Sequence, residues 1–229
     1  MSIKFYKSIL TITSVFVITL ACGVSNVGAI LFSSDSTFGT DTITLDTDTG
    51  LQWLDVPLST AFTYGEILDE LQPGGIFDGY RLATEDEVLT LWGNSGINTG
   101  LLGSFVSENY NPIVDLMSFV GITSHNGNLG GGISFDFTFG NFDNGIVHGQ
   151  PVEEGTRITL AGISAVPFQE SNFDFTGRAS FGTVPFGNDN TSHGSWLVVA
   201  SASVPEPSII ILFATGLIGL GFTLRRAGK

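Results

Sequence analysis

His125, His148 and His193 are the side chains best suited to hold a metal or to move a proton, because an imidazole does both near neutral pH. None has a second histidine three or four residues away, so the spacing of a helical zinc site is absent. Each reads as a polar loop residue. No G-x-S-x-G turn presents a serine nucleophile, and Gly194-Ser195-Trp196 reads as the start of a strand. Glu85-Asp86-Glu87 could be taken for a reactive acid cluster. Carboxylates are also favoured in the first turn of a helix by its dipole, and that placement is the expectation here. A pair of carboxylates able to cleave a glycosidic bond would meet only in the folded chain. An extracellular glycan hydrolase therefore stands as an alternative to a non-enzymatic role.

Asp46, Asp48 and Gly50 begin with the spacing of a calcium-binding loop, but Gln52 stands at its seventh position and Pro57 at its twelfth, where a carboxylate is needed. A calcium-dependent adhesive module is the other alternative; the expectation is no metal site and no cofactor. Trp53 and Trp196 read as core aromatics before sugar platforms. Arg81 precedes a helix start rich in acids, and an internal ion pair is expected of it.

Charge narrows the partners. Ile30 to Ser203 holds 21 acids against three arginines, Arg81, Arg157 and Arg178, a net charge of −18. Such a body repels phosphate backbones, which excludes nucleic acid as a partner. With 42 % apolar and 13 % charged residues, the chain is not disordered through excess charge.

The two ends read as addresses. Lys4 and Lys7 precede an apolar run from Ile9 to Ala21, and Val27-Gly28-Ala29 offers small residues for cleavage. Residues 1–29 thus read as a signal peptide cut after Ala29, with a retained anchor or lipidation at Cys22 as the lesser readings. Cys22 is the chain's one cysteine, so a mature body from Ile30 would have no disulfide and no thiolate. At the other end, Val204-Pro205-Glu206-Pro207 leads into an apolar run from Ile209 to Leu224, then Arg225-Arg226. A spanning helix needs about 17–25 residues, so this run is a short transmembrane helix, and the arginines would stay cytoplasmic. The order Pro-Glu-Pro, apolar helix, Arg-Arg resembles the PEP-CTERM sorting signal, over residues 204–229. That resemblance implies export through the secretion translocon, transient residence in the inner membrane, and processing by an exosortase-type transpeptidase. It further implies a cell-surface or extracellular destination in a Gram-negative bacterium that makes exopolysaccharide.

Between the ends, residues 30–203 read as one extracytoplasmic domain closed by a short linker, Ser201 to Ser203. Tyr64, Ile67, Leu68 and Leu71 keep helical spacing behind the capping box Thr63/Glu66. Thr84/Glu87 caps a second helix whose buried stripe is Val88, Leu91 and Trp92. A third starts at Asn111 with Pro112 as its first residue, buries Ile113, Leu116, Met117 and Val120, and ends at Gly121. Ile133, Phe135, Phe137 and Phe139 alternate with polar residues, the mark of a half-buried strand. Ile43–Leu45, Gln52–Val56, Arg157–Ile163, Phe173–Thr176, Ala179–Phe181 and Ser195–Ser201 are further strands, and Gly127–Gly132 is a loop. The class is α+β, a mostly antiparallel sheet with three short helices, plus the signal helix and the C-terminal transmembrane helix. Asn190-Thr191-Ser192 matches a glycosylation triplet, a weak signal in a bacterial context.

Four segments in order carry a second resemblance: Asp46 to Asp55, Thr63-Tyr64, Gly79 to Val88, and Gly194 to Val198. They resemble uncharacterised exported PEP-CTERM proteins and, more distantly, the DUF1566 or Lcl C-terminal domain. Gly79-Tyr80-Arg81-Leu82-Ala83-Thr84 stands where that domain has a D-W-R-L-P-T segment, with Tyr80 for Trp and Ala83 for Pro. The resemblance implies a C-type-lectin-like fold and a surface or matrix protein able to bind glycan such as exopolysaccharide. It carries over no binding residue.

Overall fold

The structure is a computed structural model, and it describes residues 30–128, 134–153, 156–166, 175–185 and 193–200. The signal segment with Cys22 and Ala29, the Asn190-Thr191-Ser192 triplet, the linker to Ser203 and the tail from Val204 onward lie outside the described residues.

β1 (Leu31–Ser36), β2 (Gly39–Asp46) and β3 (Leu51–Leu54) open the body as an antiparallel meander. Then come α1 (Tyr64–Glu70), β4 (Arg81–Leu82), α2 (Glu85–Asn94) and α3 (Tyr110–Val120). β5 (Ser124–Asn128), β6 (Ser134–Asn141), β7 (Arg157–Val166) and β8 (Thr176–Pro185) form a second meander. β9 (Gly194–Ser195) and β10 (Leu197–Ala200) end the described chain. The strands make two sheets, in the orders β1-β2-β3-β10-β4 and β5-β6-β7-β8. β9 runs beside β6 and is parallel to it. This is an α+β arrangement with antiparallel ladders.

Local chemistry explains the helices. Thr63 and Thr84 each accept a hydrogen bond from the backbone of the glutamate three residues on, and that glutamate returns the bond to the cap. Both capping boxes therefore satisfy amides that a helix start leaves open. α3 begins at Tyr110, two residues before Pro112, because a 3-10 turn at Ser107–Asn109 leads into it. Pro112 is tolerated there because the amide it lacks has no partner in a first turn. Gly121 stops the helix at φ 79°, with Pro57 packed where a side chain would stand.

The expected strand break between Phe173–Thr176 and Ala179–Phe181 does not occur: β8 is continuous from Thr176. Gly177 reads as a breaker but is required for packing, since a Cβ there would meet the Asn109 backbone. β5 reaches into the stretch expected as a glycine-rich loop, taking in Gly127 and Asn128.

The first sheet is buried on both faces at its centre. Trp53 and Val198 face a core shared with α2, α3 and the second sheet, including Leu91, Trp92, Ile113 and Ile163. Leu54 and Leu197 face the opposite way, into a second core with Tyr64, Ile67 and Phe77. Consecutive apolar residues on β3 and β10 follow from this, because a strand covered on both faces has no polar side to alternate with. Two threonines lock the sheets to one helix end. Thr44 of β2 donates to the Phe119 carbonyl at 3.1 Å, and Thr138 of β6 donates to the Gly121 carbonyl at 2.6 Å.

Candidate functional site

A concave feature lies between α1 and the 142–152 loop, a cleft of about 310 Å³. α1 contributes Leu68 and Asp69, and the loop contributes Ile146, His148, Gln150 and Val152. The base of the loop is fixed by Asn144. Its Oδ1 accepts from the Thr159 amide at 2.7 Å, its Nδ2 donates to the Phe142 carbonyl at 2.7 Å, and its own amide donates to the Tyr64 hydroxyl at 3.3 Å. Burial pushes the Tyr64 hydroxyl above its usual range. Beyond Gly145, the side-chain tie back to the body is His148, whose Nε2 sits 2.8 Å from Asp69 Oδ1. Gly145 and Gly149 stand at φ 71° and 73°, conformations that favour glycine. The cleft therefore has an aliphatic floor and three polar groups, two of which hold its roof. Asp69 is the only carboxylate among the lining residues, so the cleft does not place two carboxylates across a bond.

The histidines do not share a site. His125 lies on β5, a strand and not a loop, with Nδ1 3.1 Å from Asp136 Oδ1. His193 meets the Phe139 ring edge to face at 5.8 Å, and burial lowers its pKa. Among the described residues, no three His, Cys, Asp or Glu side chains gather where an ion could sit.

Asp46 is fully buried and already engaged. Its Oδ1 accepts the Asp48 amide at 3.0 Å, and its Oδ2 accepts from Asn94 Nδ2 at 2.9 Å. It ties the β2–β3 turn to the end of α2. The residue that opens the calcium-loop-like spacing is one that the fold uses as a rivet.

Arg81 forms the expected ion pair. Its two terminal nitrogens grip Glu87 at 2.6 and 2.7 Å, and one also donates to the Leu82 carbonyl at 3.1 Å. Glu87 accepts the Thr84 amide at 2.8 Å as well, so one carboxylate closes the helix cap and holds the arginine. The Arg81 bonds hold Glu87 below the usual carboxylate range, and Glu87 in turn raises Arg81. Glu85 and Asp86 occupy the first turn of α2, as expected of them.

Trp53 and Trp196 are both 1 % exposed and meet edge to face at 6.1 Å. Trp196 donates to the Ala161 carbonyl at 3.0 Å, which joins the two sheets. Neither tryptophan is a platform for a ligand. Asp55 carried no signal of its own in the sequence. Its Oδ1 is buried without a hydrogen-bond partner, and burial, followed by the charge of Asp41, raises its pKa to about 6.

Three of the four segments with the second resemblance become spatial neighbours. β3, β10 and β4 are adjacent, with Trp53 opposite Val198 and Leu82 opposite Leu197. The fourth, Thr63-Tyr64, starts α1 beneath the same sheet.

No curated protein and no solved structure matches this chain. Residues 203–227 match the PEP-CTERM protein-sorting motif. The chain thus carries the mark of an exported protein that an exosortase processes and that is delivered to the cell envelope or surface.

Proposed function

We propose that this chain is a non-enzymatic cell-surface or matrix protein whose body binds extracellular glycan. The sorting motif at residues 203–227 is the observation that carries the reading. The Arg225-Arg226 pair would hold the tail in the inner membrane until the exosortase acts near Pro205-Glu206-Pro207. The spatial grouping of β3, β10 and β4 supports a lectin-like descent of the body, because the residues of the second resemblance form one sheet centre. The cleft beside α1 adds a chemical reason. Asp69, Gln150 and His148 offer acceptors and donors above aliphatic surface, the mixture that suits a hydroxyl-rich ligand. A net charge of −18 on the body keeps it soluble and prevents it from adhering to anionic surfaces.

The test compares the full chain with one ending at Ser203, each carrying an internal tag, in a host with an exosortase. The full chain should reach the surface fraction, and the shortened one should not. Equal surface delivery of both would remove the tail from the sorting step.

A further inference from the structure

In a body with 21 acids and three arginines, every guanidinium has carboxylates to choose from. Arg81 has Glu87, and Arg157 donates to Thr183 through Nε at 3.1 Å and a terminal nitrogen at 2.7 Å. Arg178 is held apart. Among the described residues no carboxylate pairs with it, and its Nε is buried without an acceptor. Its guanidinium stands over the Phe105 ring, 5.3 Å from the centroid.

The fold builds this arrangement deliberately enough to locate each part. Val106 bridges antiparallel to Gly177, and the Gly103 amide donates to the Ala179 carbonyl at 2.8 Å, so the 103–106 segment lies along the edge of β8. That places Phe105 beside Arg178 with 44 % of its surface exposed. Residues two apart on a strand share a face, so Thr176 and Ser180 flank Arg178, and Ser164 stands opposite it on β7. Thr176 and Ser180, both partly exposed, thus make a shelf of short hydroxyl side chains along β8, with the buried Ser164 behind it and a guanidinium and an aromatic ring at its rim. Nε is enclosed, so the two terminal nitrogens are the groups of this guanidinium that can meet a planar anion.

We propose that this shelf binds a carboxylate-bearing saccharide. Arg178 takes the carboxylate, the exposed Phe105 ring takes the apolar face of the sugar, and Thr176 and Ser180 meet its hydroxyls. The assignment rests on the glycan-binding reading above and names the ligand class within it. The surrounding negative charge repels a long polyanion, so the fitting ligand is a short oligomer or a chain end.

The experiment titrates the full chain, by calorimetry, with trigalacturonate, a neutral galactose trisaccharide and triglutamate. Trigalacturonate should bind saturably and the other two should not. Arg178→Gln should weaken binding at least tenfold, Arg178→Lys less, and Phe105→Ala severalfold. Phe105 is exposed, so its variant keeps the test decisive if Arg178→Gln folds poorly. Unchanged affinity in folded Arg178→Gln overturns the site, and so does binding of triglutamate in place of the sugar. Equal binding of the neutral sugar overturns the Arg178 assignment and leaves the glycan reading standing. If neither saccharide binds, both fall.

Discussion

The ring of Phe139 lies over Gly162, its cross-strand partner in the β6–β7 ladder, and fills the space a side chain there would take. Phe137 packs against the same ring at a tilt of 55°, with centroids 4.9 Å apart, so Phe139 is confined from the side as well. Gly162→Ala must displace the ring or the strand, at a cost of about 1–3 kcal/mol. Chemical denaturation of the variant should show that loss. A change below about 0.5 kcal/mol would mean that the ring swings aside freely.

Asp55 predicts a stabilising substitution. Its folded pKa is about 6, raised from 3.8. Between those values the folded state holds a proton that the unfolded state has released, so stability falls as pH rises through this window. Asp55→Asn removes the charge penalty and breaks no bond at Oδ1, which has no partner. At pH 7 the gain should be about 1 kcal/mol, after discounting for the partly solvated position. Unfolding curves at pH 7 and pH 3.5 check this, because the gain should vanish at the lower pH.

Glu87 has two tasks that substitution can separate. Gln keeps the cap acceptor and loses the charge, whereas Ala loses both. Glu87→Gln should cost about 0.5–1 kcal/mol and Glu87→Ala about 1–2 kcal/mol, given how exposed Arg81 is. The Glu87 pKa is lowered in the fold, so the ion-pair share is present at neutral pH and fades as pH falls through the carboxylate range. A double-mutant cycle with Arg81→Ala, run at pH 7 and pH 3, reads that share directly.

The His148–Asp69 contact should govern local opening and leave global stability nearly untouched. Both side chains are well exposed, so His148→Ala should cost less than about 0.5 kcal/mol. Amide exchange over residues 146–152 should nonetheless quicken roughly tenfold, because this contact is the far tie of the loop. Exchange confined to its parental rate would show that packing of Ile146 alone holds the roof.

The sequence made the helices legible because their signals are local. Thr63/Glu66 and Thr84/Glu87 each specify a start within four residues, and both boxes close in the fold. The buried stripes of α2 and α3 follow from periodicity alone. β6 was readable from its alternation, although Thr138 on its polar face is fully buried and Phe137 and Phe139 are only partly so; strands were less readable where pairing is remote. β1 has mostly exposed, polar residues, and only its ladder with β2 makes it a strand. The division into two sheets depends on β10 leaving its sequence neighbours, which no local pattern records. The cleft and the Arg178 shelf were hidden for a related reason. Asp69 meets His148, and Phe105 meets Arg178, across long stretches of chain whose spacing carries no motif. The PEP-CTERM tail was the opposite case, a linear address complete in itself.

The position of β10 bears on the order of events in the life of the chain. β3 and β4 are completed only when residues 197–200 arrive to sit between them, at the very end of the body. Contacts of such long sequence separation form late. A nascent chain lacking this last strand cannot close its first sheet, however much of it has already been made. The sorting motif begins at residue 203, directly after that strand. The topology therefore leaves the first sheet unclosed until the residues that directly precede the address label have been made.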